Sequence, residues 1–129
     1  MTSQNFAFTK LVVGNLDASA AFYENVFGLK RQARIQAEIS GRKIDEIIYE
    51  PTSKGGSNFV LLTYFDTPKP GSGEVIVGFV SDDVYALCDR AVAAGATVFQ
   101  AARDAPEHGL TVGFLADPEG HLIEVIKPL

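Results

Sequence analysis

The chain has 129 residues, 47% of them hydrophobic, and a net charge of −5, which is enough for one buried core and the usual size of a single domain. It has no apolar run of about 18 residues and no basic-then-apolar N-terminus, so a membrane span and a signal peptide are excluded and a cytoplasmic, soluble protein is expected. Nucleic-acid affinity needs clustered Lys and Arg; here the densest group, Lys30, Arg31, Arg34, Arg42 and Lys43, is interrupted by acids and reads as a solvated strand face.

The first β-like run is FAFTKLVV at 6–13. A helix follows over Asp17–Phe27, with Ala18, Phe22 and Val26 on one face, Asp17 near its start and Gly28 after its end. The period then changes to about 2, giving strands near 31–38, 43–50 and 58–65, separated by SGR (40–42) and PTSKGG (51–56). TPKPGSG at 67–73 is a linker, almost midway along the chain.

A similar series then recurs. EVIVGFV (74–80) reads as a strand, and Asp83–Ala94 as a helix burying Val84, Leu87, Cys88, Ala91 and Val92, capped by Ser81 or Asp82 and closed by Gly95. Cys88, the single cysteine, excludes an internal disulfide and falls within this stripe as a packing residue. Strands follow near 96–100, 110–116 and 121–127, with DPEG (117–120) suited to a type I turn closing a hairpin. Gly28 and Gly95 are 67 residues apart, so the chain repeats a βαβββ unit. The expected fold is α+β: one domain over 1–129, with module 1 at about 6–66, the linker, and module 2 at about 74–129.

LVVGNLDASAAFYENVFGLK (11–30), VGFVSDDVYALCDRAVAAGATV (77–98) and FLADPEGHLIEVI (114–126), in this module order, resemble the vicinal oxygen chelate superfamily, which includes glyoxalase I and the bleomycin-resistance proteins. The resemblance implies curved mixed sheets forming a cup, and a divalent metal held by four side chains from the first and last strands of each module. Aligned on the helix caps and strand motifs, those positions are Phe8, Leu61, Ile76 and Glu124. Three are hydrocarbon, and catalytic metal sites normally need three protein ligands. His121 and Glu124 have odd strand spacing and point to opposite faces, so no metal site and no cofactor is expected.

Glu124 is the chemically odd residue, a lone carboxylate in the apolar run LIEVI. If its face lines the cup, burial would raise its pKa and suit it to proton abstraction, with His108 or Tyr49 donating a proton or orienting the ligand. A core carboxylate bonded to a backbone N–H, Tyr49 or Tyr64, and a carboxylate tipped into solvent, are the alternatives. Gly113, expected opposite Glu124 across the hairpin, would leave space beside it. Strand parity adds Phe8, Phe59, Leu61, Thr63 and Ile76 as ligand-binding candidates for a small apolar or aromatic metabolite, and Arg34 and Arg42 could meet a ligand carboxylate. Two readings follow: a metal-independent isomerase or lyase with Glu124 as base, or a resistance-type protein that sequesters a hydrophobic small molecule. Open sheet edges and apolar surface suggest a homodimer.

Overall fold

The computed structural model describes residues 6–129. In chain order the elements are β1 (Phe8–Val12), α1 (Leu16–Phe27), β2 (Arg31–Ile39), β3 (Arg42–Tyr49), β4 (Asn58–Tyr64), β5 (Ile76–Val80), α2 (Val84–Ala93), β6 (Thr97–Ala105), β7 (Leu110–Ala116) and β8 (Leu122–Pro128), with a short 3₁₀ turn at Pro106–His108. They form two compact units, Met1–Pro70 and Gly71–Leu129, divided inside the Pro/Gly linker. Each is α+β, one helix with one four-stranded mixed sheet, and the two sheets share a topology: β1-β4-β3-β2 in the first and β5-β8-β7-β6 in the second. In both, the first and last strands pair in parallel and the other neighbours pair antiparallel.

The helix boundaries follow from side chains that satisfy orphan N–H groups. Asn15, two residues before the expected start, accepts from the backbone N–H of Ala18 at 3.0 Å and caps α1. Gly28 ends α1 in the left-handed region (φ 68°), its N–H reaching the Glu24 carbonyl at 2.9 Å. Asp83, rather than Ser81 or Asp82, caps α2 by accepting from Ala86 N–H; the Ser81 hydroxyl instead accepts from Asp83 N–H. Each cap of this kind contributes about 1 kcal/mol.

Strand β6 departs most from the expected boundaries. It runs to Ala105 instead of ending near 100, with register shifts between Val98 and Gln100 and again between Gln100 and Arg103. The stretch AARDA has little intrinsic strand preference; pairing with β7 holds it, and the irregularities absorb the extra residues.

In unit 1 part of the core lies between α1 and one face of the sheet, and Ile44, Val60 and Leu62 are buried on the other. Leu11, Ile47, Leu61 and Tyr49 pack on the helix side against Ala20, Tyr23 and Val26, all fully or almost fully enclosed. In unit 2, Leu115, Ile123 and Val125 pack against Val84, Leu87, Cys88 and Ala91. Each fully buried aliphatic side chain contributes about 1.5–3 kcal/mol of transfer free energy. Arg34 does not stand free on a solvated face: it forks onto Asp45 (Nε 3.2 Å, Nη2 2.9 Å) and reaches Asp17 at 2.8 Å, tying β2 and β3 to α1. That hydrogen bonding holds Asp45 below the ordinary carboxylate range. A depressed carboxylate stabilises the fold above the ordinary carboxylate pKa, and the contribution disappears as the pH falls through the depressed value.

Candidate functional site on the open sheet faces

Each sheet has a second face that its own helix does not cover. In unit 2 this face is built from alternate residues of three strands. Ile76, Gly78 and Val80 on β5 lie beside Leu122, Glu124 and Ile126 on β8, and Val112, Phe114 and Ala116 on β7 complete it. Ile123 and Val125 occupy the helix side, so β8 divides by parity and Glu124 emerges on the open side. Gly78, Phe79, Val80, Glu124 and Ile126 line a hollow of about 300 Å³. Glu124 is half-buried there and forms no hydrogen bond or ion pair with any described residue.

The alternative of a core-bonded Glu124 therefore loses its partners. Tyr49 gives its hydroxyl hydrogen to Glu24 at 2.8 Å, and the ring of Tyr64 lies under Arg42 at 3.6 Å. Tyr49 is fully buried on the helix side of β3, stacked on Phe59, and burial together with its carboxylate acceptor pushes its phenol well above the ordinary value. Its expected position on a ligand-facing wall is thus corrected: it staples β3 to α1. Tyr49→Phe is expected to cost about 1 kcal/mol in urea unfolding and to leave ligand affinity unchanged; a change in affinity without loss of stability would contradict this placement.

The other candidates separate in the same way. Phe8 is half-exposed on the open face of unit 1, with the Lys10 ammonium 5.3 Å from its ring centre. Phe59, Leu61 and Thr63 lie on the opposite, helix-facing side: Phe59 against Tyr23, Leu61 fully buried, and the Thr63 hydroxyl donating to the Gly14 carbonyl. The expected alignment of Leu61 with Phe8 and Glu124 is one residue out. Lys10 pairs with Val60 just as Gly78 pairs with Glu124, so Val60 is the counterpart of Glu124. A one-residue slip exchanges the two faces of a strand.

Gly113 is corrected too. It pairs with Val125, and a Cβ on it would come 3.1 Å from the Cys88 sulfur and 3.3 Å from Ala102. It is small because α2 packs onto it. The residue opposite Glu124 on β7 is Phe114, and the missing side chain that leaves room beside the carboxylate belongs to Gly78 on β5. Ile76 is exposed on that same face. His108 ends the 3₁₀ turn, exposed on the surface beside Gly109. Arg42, a further ligand candidate, forks onto Asp66 at 3.0 and 2.8 Å.

Strand parity centred on Tyr49 overlooks the polar pair on the open face of unit 1. Glu46, on β3, is nearly enclosed, and Lys10 of β1 crosses the intervening strand to reach it. The ammonium lies 2.9 Å from one carboxylate oxygen, off hydrogen-bond direction, and donates to the other at 3.5 Å. The available signal was two opposite charges set among the β-branched residues of β1 and β3.

A metal of the kind implied by the resemblance does not fit this donor set. Phe8, Leu61 and Ile76 offer no lone pair, and neither does Val60, which replaces Leu61 on the proper face. Among the described residues no three His, Cys, Asp or Glu side chains come together.

Two βαβββ units with identical sheet order, each with one face covered by its own helix, define a two-module α+β fold. The Glyoxalase/Bleomycin resistance protein/Dioxygenase superfamily matches residues 5–125, and the chain belongs to that family. It is 31% identical over 134 residues to a probable lactoylglutathione lyase of Vibrio cholerae, covering 98% of this chain and 93% of the relative. It is 32% identical over 122 residues to a lactoylglutathione lyase of Neisseria meningitidis, with 92% and 87% covered. Among solved structures, a glyoxalase-related enzyme from Fulvimarina pelagi matches at 31% identity and TM-score 0.69, covering 97% of this chain and 88% of that one. A glyoxalase family protein from Bacillus cereus shares the fold at TM-score 0.84 and 19% identity, covering 100% and 97%.

Proposed function

We propose that this protein is a metal-independent isomerase or lyase of the glyoxalase superfamily. It acts on a small, mostly apolar or aromatic metabolite at the open face of unit 2, with Glu124 as general base. The observation that carries the reading is a carboxylate without a partner among the described residues, set in an apolar sheet face beside an open hollow. Retaining a carboxylate there costs desolvation that no described contact offsets, and a bound ligand that brings its own proton donor or acidic C–H would offset it. Glu124 takes the proton from the ligand and later returns it. The two units act as one domain within a cytoplasmic homodimer; the exposed Phe65, Val98 and Phe99 support pairing.

A second reading, sequestration of a hydrophobic small molecule, is favoured by one observation. Each candidate proton donor is placed for another role: the Tyr49 hydroxyl gives its hydrogen to Glu24, and His108 is exposed on a surface turn.

Native mass spectrometry with parallel elemental analysis of the purified protein tests both. Metal below stoichiometric amounts is expected, together with a bound small apolar ligand; its conversion to product, not raised by adding Zn²⁺ or Ni²⁺ after EDTA treatment, supports the enzyme, and its release unchanged supports sequestration. A tightly held stoichiometric metal, or activity restored by one, overturns the metal-independent reading.

A further inference from the structure

Gly78 interrupts the middle of β5, in the run IVGFV. Most glycines here have a conformational or packing reason: Gly28 needs its positive φ, and Gly113 lies under Cys88. Gly78 has neither. Its backbone is not in the left-handed region, and a Cβ built on it meets nothing within 4 Å. Glycine inside a strand weakens it, because the unfolded chain is freer and no side chain packs. Folding therefore gives no reason to keep this position bare.

Its neighbours supply one. Gly78 pairs directly with Glu124 and shares the hollow with Val80 and Ile126. Ile76 and Val80 flank it on the same face, about 13 Å apart along the strand, a gap that admits one ring lying flat on the exposed backbone. The walls are hydrocarbon and the one charged group is a carboxylate that accepts no hydrogen bond from any described residue.

We propose that Gly78 is the specificity-determining residue of this site, reserving space for a planar aromatic ring whose hydrogen-bond donor meets Glu124. The inference rests on the reading of Glu124 as the ligand-facing group. It excludes ligands that present a carboxylate at that point, since two like charges would meet at close range beside hydrocarbon walls.

The test is an NMR titration of the ¹⁵N-labelled full chain with benzamidine, a flat ring carrying a cationic donor, and with benzoate, the same ring carrying an acid. Benzamidine is expected to give saturable shifts at the amides of Gly78, Glu124 and Ile126, weakened at least tenfold in both Gly78→Val and Glu124→Gln, while benzoate gives none there. Gly78→Val should also melt higher, by about 3 °C, because a β-branched residue suits an open strand position. Binding and stability thus move in opposite directions, which a mere packing defect would not produce.

If Glu124→Gln loses benzamidine but a folded Gly78→Val keeps it within twofold, the Gly78 assignment fails and the Glu124 site stands. If both variants bind as the native chain does, both fail. Failure of Gly78→Val to fold would show that the space is not free and would overturn the assignment. Equal shifts from benzoate, or none from either probe, would overturn the ligand class, while the role of Glu124 in turnover is read separately from Glu124→Gln kinetics.

Discussion

Glu124→Gln is expected to lower turnover by about 10²–10⁴-fold, the range found when a positioned general base is removed, while affinity for a neutral substrate, unlike that for a cationic ring, changes only a few-fold. Gln keeps the shape of the side chain and one carbonyl acceptor, so a ligand that only donates a hydrogen bond still binds. What disappears is the capacity to hold a proton. The substitution also removes a half-buried charge that no described residue partners, so the variant should be at least as stable as the native chain. Equal losses in kcat and kcat/KM would place the interaction in the transition state. Product formation unchanged by the substitution would remove Glu124 from the chemistry. Affinity lost without any product from either protein would select sequestration instead.

That experiment targets the residue most plainly marked in the sequence, because one charge among four aliphatics in LIEVI has no trivial packing explanation. The βαβββ repeat was equally legible: helical periodicity, two glycine terminations and a Pro/Gly linker all point to it, and the paired sheet orders match it. Legibility ends where cross-strand register begins. Alternation indicates which residues of one strand share a face, but not which face meets the helix. Alternation groups Phe59, Leu61 and Thr63 on one face, but the alignment that sets Leu61 beside Glu124 is one residue long and turns that face away from the helix it meets. Tyr49 followed them, since it stacks on Phe59. The same limit hid the charges facing the other way, Lys10 and Glu46. Gly113 and Gly78 illustrate it best: both are strand glycines close to Glu124, and only the hydrogen-bond register tells the one under the helix from the one beside the carboxylate.

Register itself depends on the turn between β7 and β8, where Asp117→Ala is expected to cost about 3 kcal/mol. Asp117 and His121 are buried together, 4% and 2% exposed. One Asp117 oxygen accepts the backbone N–H groups of Glu119 and His121, each at 2.9 Å, and the His121 Nδ1 lies 3.0 and 2.8 Å from the two oxygens. An ionised carboxylate can only accept, so Nδ1 carries the hydrogen. Alanine would leave two backbone donors and a buried imidazole without this acceptor, and each such loss costs about 1–3 kcal/mol when water cannot replace it. Asp117→Asn should lose clearly less, because one amide oxygen can still receive both backbone donors. The functional consequence follows from position: Ala116 pairs with Leu122 at the turn, and Glu124 is the next residue of β8 on that face. A hairpin that slips by one residue would exchange the two faces and send the carboxylate toward α2. Urea unfolding measures the stability loss, and hydrogen exchange at the amides of β7 and β8 reports the register. A loss below about 1 kcal/mol with protection unchanged would mean that the β-ladder, not this buried pair, keeps Glu124 on the open face.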